Sequence, residues 1–202
     1  MKRIGIFGGT FNPIHKGHIK CIEEIDKELG FDKILVIPTK IPPHKQAVDL
    51  ASDNDRFNMC RLATKRISNA EVSDIEIKSE GKSYSVLTLR KLILTYPKSD
   101  YRLYFLMGSD MLLCFEKWFE FRDILSLCSL VCITRNSDDK LKIKAQAEKL
   151  RDLGGEIIIV NTEPLEISSS EIRDLIRKGE DLSCFLDDAV VKYISESGIY
   201  GK

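Results

Sequence analysis

Two of the chain's three histidines, His15 and His18, stand three residues apart in the stretch GIFGGTFNPIHKGH, which also holds four of its twelve glycines. Three residues is just under one helical turn, so both imidazoles belong to the start of a helix. There the unpaired backbone N–H groups and the positive end of the dipole favour an anion. Gly8 and Gly9, just ahead, let the backbone pass close to a ligand, and a glycine turn leading into a helix start makes a phosphate cradle. Two familiar phosphate fingerprints are excluded: the glycines are out of register for G-x-G-x-x-G, and G-x-x-x-x-G-K-[ST] does not occur. Zinc is the competing use of a histidine pair, but it needs a third protein ligand that only His44 or a distant cysteine would supply. Two merely solvated histidines would leave the adjacent glycines unexplained.

Such a set of donors suits phosphoryl-centred chemistry. If a phosphate monoester attacks the α-phosphorus of a nucleoside triphosphate, the nucleophile is already ionised and no general base is needed. The site must supply positive charge and N–H donors to crowded phosphate oxygens and to departing pyrophosphate. Imidazole N–H groups, a helix N-terminus, Lys, Arg and Mg²⁺ meet that need.

The elements that must position these groups follow from periodicity. KRIGIF, KILVIP, AEVSDIEI, YRLYFLM, LVCIT and EIIIV read as strands. Between them, Ile19, Ile22, Ile25 and Leu29 follow helical spacing, as do Phe57, Cys60, Ala63 and Ile67, and Val86, Leu89, Ile93 and Tyr96. Ser52 with Asp55 resembles a capping box, and Ser168 with Glu171 forms the pattern of one. Alternating strands and helices predict an α/β fold: a Rossmann-like, mostly parallel sheet of about five or six strands with helices on both faces. Ligands of such sheets sit beyond the carboxyl ends of the strands, where TKIPPHKQAVDLASDND and TRNSDDK form polar loops.

The stretch GGTFNPIHKGH resembles the G-G-T-F-D-P-x-H-x-G-H signature of the H-x-G-H nucleotidyltransferase superfamily. The resemblance covers nearly the whole chain: IPPHK, SYSVLTLRKL, GSDMLLCFEKW, EISSSEIR and VVKYISESGIYG fall in the order seen in its bacterial nicotinate-nucleotide adenylyltransferases. Departures are Asn12 where Asp is usual, Ser85 and Ser170 where Thr is common, and Leu113 where an aromatic is often found. The resemblance implies transfer of AMP from ATP to nicotinate mononucleotide, with Mg²⁺. It implies His15, His18 and Arg173 as catalytic residues, with Gly8, Gly9, Thr10, Phe11, Gly108, Asp110, Arg135 and Ser169 on the ATP side. His44, Lys45, Ser85, Leu113 and Trp118 fall on the mononucleotide side, and no residue is assigned as a metal ligand. Several of these residues also have plainer uses: Asp110 as a helix cap, Trp118 as a core anchor, and His44 and Lys45 in a solvated basic loop.

Composition narrows the field further. The 31 Lys and Arg balance the 31 Asp and Glu, so no global field draws the chain to nucleic acid or an anionic membrane. At 202 residues one core is the expectation, hence a single domain over 1–202. The start MKRIGIFGG has too short an apolar run for a signal peptide, and no segment approaches a membrane span, which points to the cytoplasm. Six cysteines lack a C-x-x-C pair and read as reduced packing residues. Related superfamily activities fit IPPHK and GSDMLLCFEKW poorly. A nucleotide-binding module without turnover would not need His15, His18 and Arg173 together, and a metal-dependent hydrolase would need a His and carboxylate cluster that is not evident. An aminoacyl-tRNA synthetase core would lack tRNA surface on a neutral chain of this length. Oligomeric state stays open, with a homo-oligomer as one option.

Overall fold

The computed structural model describes residues 1–41, 49–134, 139–162 and 167–201. Six strands form one parallel sheet: β1 (Lys2–Gly9), β2 (Lys33–Pro38), β3 (Ala70–Val72), β4 (Tyr101–Gly108), β5 (Ser129–Thr134) and β6 (Ile157–Asn161). Their order across the sheet is β3-β2-β1-β4-β5-β6. The chain therefore winds outward twice from the centre, and the reversal falls between β1 and β4, where the connections leave in opposite directions and a crevice opens.

Every long strand buries both faces, and the alternation sorts its residues into two cores. Ile4, Ile6, Leu35, Ile37, Leu103 and Phe105 face one side, with Val86 and Leu89 of α3 (Ser85–Thr95), Ile124 of α5 (Phe121–Leu127) and Ile143 of α6 (Lys140–Asp152). Phe7, Ile34, Val36, Tyr104, Leu106 and Val131 face the other. They meet Ile22 and Ile25 of α1 (Lys16–Leu29), Met59 of α2 (Asp53–Thr64), Ile172 of α7 (Ser169–Lys178) and Val190 of α8 (Asp188–Ser197). The short helix α4 (Ser109–Leu113) and a 3₁₀ turn (Phe115–Lys117) follow β4 directly. Cys60, Cys128 and Cys132 are buried in these cores, Cys21 and Cys114 partly so, and Cys184 is exposed.

The edge strand departs from expectation. AEVSDIEI reads as eight strand residues, yet β3 stops at Val72. The Ser73 N–H makes the last bond to the sheet, on the Val36 carbonyl, and the Ser73 hydroxyl then accepts from Ile75 N–H. A serine turn of this kind competes with the ladder at an edge that has no further partner strand among the described residues. The following turn carries Glu76 inward, where its carboxylate accepts from the Thr88 hydroxyl at 2.8 Å. The cap of α2 also differs in detail: Ser52 Oγ accepts from Asp55 N–H, but the return contact joins the Asp55 carboxylate to the Ser52 hydroxyl rather than to its backbone N–H. Ser168 and Glu171 make the full reciprocal box at the start of α7.

Candidate active site

β1 runs two residues beyond its apolar stretch, so Gly8 and Gly9 are extended strand residues paired with Ile37 and Pro38, not a turn. The turn proper is TFNPI. A Cβ on Gly9 would stand 2.8 Å from the Phe11 ring, whereas one on Gly8 would meet nothing within 4 Å. Gly9 is thus needed for packing, and Gly8 borders open space that a ligand can approach. Phe11 adopts a left-handed φ of 46° and lays its ring edge-on to His18, 5.1 Å between centroids.

His15 is the N-cap of α1 and His18 its third residue. The His15 backbone N–H donates to His18 Nδ1 at 3.2 Å, and the two rings lie 3.7 Å apart between centroids at 31°. An accepting Nδ1 leaves the proton of neutral His18 on Nε2, so the ring presents an N–H on its far edge. His15 is buried and His18 half-buried, which fixes one ring as the backing of the other.

Distant segments converge on this turn. Ser169, the first residue of α7, donates its hydroxyl to the Pro13 carbonyl at 2.9 Å, and Arg173 Nη1 donates to the Asn12 carbonyl at 2.9 Å. The start of α7, a second concentration of helix N–H groups, therefore lies beside the start of α1. Arg173 Nη2 reaches Ser170, while its Nε–H is buried without a partner among the described residues. From below, Arg56 is fully buried and donates to the carbonyls of Thr10 (2.8 Å), Thr39 (2.6 Å) and Ala51 (3.2 Å), with Asp53 as its counter-ion. The Asn12 side chain is likewise buried and bonded to Ala51, Asp49 and Tyr200.

Across the crevice, Gly108 ends β4 and caps α4, so Asp110 is not the cap. A Cβ on Gly108 would meet Asp110 Oδ1 at 2.8 Å: the carboxylate folds over the glycine at the strand's end. Leu113 ends α4 and is exposed. Trp118 packs edge-on to Phe105 (5.8 Å) and tilted on Phe115 (5.2 Å) while staying part-exposed, with its indole N–H buried and unpartnered among the described residues. Ser85 is the first residue of α3, and the rings of Tyr84 and Phe119, 4.8 Å apart, join that helix start to the segment after Trp118. Beneath it, burial pushes the Glu76 carboxyl above its usual range, against opposing hydrogen bonds from Thr88, Ser83 and Thr39 and the charge of Arg56.

The structure thus gathers Thr10, Phe11, His15, His18, Ser169 and Arg173 around one turn, and sets Gly108 at the end of the adjacent strand with Asp110 in the first turn of the helix that follows it. His44, Lys45 and Arg135 lie outside the described residues. Arg56, Glu76 and Tyr200 were not singled out from the sequence. Arg56 was the detectable one, because it stands at helical spacing with buried Met59, Cys60 and Ala63, a charge on an apolar face.

Two helix N-termini and an H-x-G-H pair thus meet at the reversal point of a doubly wound parallel sheet. Residues 6–175 match the cytidylyltransferase-like family model. A protein of Dehalococcoides mccartyi named "Probable nicotinate-nucleotide adenylyltransferase" is 36% identical over 198 residues, 98% of this chain and 97% of that protein. One of the same name from Listeria monocytogenes is 38% identical over 200 residues, 99% and 98% of the two chains. The chain belongs to this family, the nicotinate-nucleotide adenylyltransferases among the cytidylyltransferase-like proteins. In fold it matches the Plasmodium falciparum nicotinic acid mononucleotide adenylyltransferase solved with NaAD, with a TM-score of 0.80 at 22% identity over 99% and 98% of the chains. No helix among the described residues is long and apolar enough to cross a membrane.

Proposed function

We propose that this chain transfers AMP from ATP to nicotinate mononucleotide, yielding deamido-NAD and pyrophosphate. The mononucleotide phosphate oxygen attacks the α-phosphorus in line, a new phosphoanhydride bond forms, and the bond to the β-phosphate breaks with its electron pair leaving on pyrophosphate. The phosphate monoester is ionised at neutral pH, so no residue needs to remove a proton. Negative charge that builds on the bridging and non-bridging oxygens is met by donors already in place, which is where preorganised N–H groups lower a barrier most.

The observation that carries this reading is the convergence of two helix starts on one turn, through Ser169 on Pro13 and Arg173 on Asn12, with His18 in the first turn of one of them packed against the Phe11 ring. On this reading His15, His18 and Arg173 act on the reacting phosphates. Gly8, Gly9, Thr10, Phe11, Gly108, Asp110, Arg135 and Ser169 hold ATP. His44 and Lys45 complement the mononucleotide phosphate, Trp118 stacks on the pyridine, and Ser85 and Leu113 present backbone N–H groups to its carboxylate.

Among the described residues no three His, Cys, Asp or Glu side chains are grouped as a metal cage, and the turn offers donors rather than oxygen ligands. A Mg²⁺ would arrive on the phosphates of ATP and add positive charge there. The enzyme works as one domain over residues 1–202 in the cytoplasm, on small nucleotides rather than nucleic acid or membrane. The test is to incubate the pure protein with ATP, Mg²⁺ and nicotinate mononucleotide and weigh the product. A mass equal to deamido-NAD, with pyrophosphate released in equal amount, is expected; ADP or free AMP as the only product refutes the proposal.

A further inference from the structure

We infer that Tyr200, in the turn after α8, is a positioning residue for the transfer reaction: its hydroxyl locks the Asn12 side chain and thereby holds the Asn12 carbonyl that orients Arg173. The inference rests on the adenylyl-transfer reading of this site. Tyr200 is 188 residues from its partner, and its phenol donates to Asn12 Oδ1 at 2.6 Å. The direction of that bond follows from its neighbours. Oδ1 also receives the Ala51 backbone N–H at 3.0 Å, which can only donate, and Asn12 Nδ2 donates to the Asp49 carbonyl at 3.0 Å. The amide orientation is therefore single-valued, and the Tyr200 hydroxyl must be the donor.

Three non-glycine residues in the left-handed region meet here: Phe11 (φ 46°), Asp49 (φ 57°) and Tyr200 (φ 65°). Such conformations persist in large side chains only where surrounding contacts over-determine them. Phe11 is joined to Asn12 by the chain, and Asp49 and Tyr200 are joined to it by hydrogen bonds, so Asn12 is the shared point. Gly198 ends α8 at φ 65° and accepts the Gly201 N–H, which turns the chain back and carries the Tyr200 ring onto the core. The phenol is largely buried near Arg173, Arg56, Asp55 and Cys60. Burial pushes its ionisation up despite the two arginines, so it remains a donor throughout the working pH range. An exposed terminal tyrosine would have none of these constraints.

Tyr200→Phe removes one oxygen and leaves the ring. Hydrogen exchange should quicken in segments 10–18 and 49–52 of the variant, with the sheet unchanged. By turnover, kcat should fall about tenfold while KM for either substrate moves by less than about threefold, because the lost alignment matters most in the transition state. Background variants identify the route. In Asn12→Asp, which keeps an acceptor, Tyr200→Phe should still slow the reaction. In Asn12→Ala, which keeps none, it should have almost no further effect, since two members of one interaction are not additive. Unchanged loop exchange, an effect confined to melting temperature, or full multiplicativity in the Asn12→Ala background would overturn the inference. A native protein that forms no dinucleotide would instead refute the reaction, and with it the catalytic half of this inference, while loop exchange alone decides whether Tyr200 anchors Asn12.

Discussion

Where β1 ends, the turn is fastened by hydrogen bonds from Ala51, Arg56, Ser169, Arg173 and Tyr200; where β4 ends, just across the crevice, the walls are aromatic rings and helix starts. The first rim spends buried polar contacts to fix main-chain atoms around His15 and His18. The second leaves Trp118, Phe119 and Leu113 part-exposed over an apolar base. On the proposed reading the difference matches two tasks. Stabilising charge in a transition state demands donors that do not move, whereas admitting a flat pyridine ring demands an open apolar surface with few polar directors. Rigidity would then belong to the rim at the end of β1 and recognition to the rim at the end of β4.

The largest effect is expected from cutting the fastening beneath the first rim. Arg56→Ala leaves three carbonyls without their donor and takes the partner from the half-exposed Asp53, and acceptors left unsatisfied in this way cost about 1–3 kcal/mol. Urea unfolding followed by far-UV dichroism should register that loss. A loss below about 1 kcal/mol would mean that the first rim does not depend on this anchor.

The second rim is sharpened by changing the ligand. Nicotinate offers a carboxylate and nicotinamide replaces one oxygen by N–H₂. On the proposed reading, backbone N–H groups near Ser85 and Leu113, with the Ser85 hydroxyl, would bind the first and would face donor to donor with the second. Native kcat/KM should favour nicotinate mononucleotide by about a hundredfold, and Ser85→Ala should reduce that preference only modestly. Equal values would show an acceptor in this wall.

The smallest effect concerns Glu76, where the two rims share buried polar groups. Its raised native pKa means that the folded state holds a proton that the unfolded chain releases above the usual glutamate value near 4.3. Stability contributed by that proton is present below this value and declines as pH rises through the native one, with a slope of at most about 1.4 kcal/mol per pH unit. Glu76→Gln should flatten the slope in that window and leave it elsewhere unchanged. A native slope of opposite sign, or one that the variant retains, would assign the titration to another group.

Much of this was legible in the chain. The apolar runs in KRIGIF, KILVIP and YRLYFLM marked buried parallel strands because both faces of each strand are covered, and the spacing of His15 and His18 marked a helix start. AEVSDIEI misled because its apolar residues continue past the point where Ser73 captures a turn and, among the described residues, no further strand waits to pair. Glycine types suggested a turn at Gly8 and Gly9, although Gly9 is set by the Phe11 ring, a contact fixed only once the turn has folded. The Asn12 and Tyr200 bond could not be read locally at all: neither residue carries a pattern that names the other, and only the closed fold brings them together. His44, Lys45 and Arg135, expected on the loops after β2 and β5, fall outside the described residues.

The division of labour is tested most directly by titrating nicotinate mononucleotide at saturating ATP against the native enzyme, His18→Ala and Trp118→Ala, each checked for a native dichroism spectrum. His18→Ala should lower kcat by about a hundredfold with KM nearly unchanged, because it removes a donor used mainly in the transition state. Trp118→Ala should raise KM about tenfold with kcat within about twofold, because stacking on the pyridine is felt equally by ground and transition states. The reverse pattern, with His18 setting KM and Trp118 setting kcat, would contradict the account.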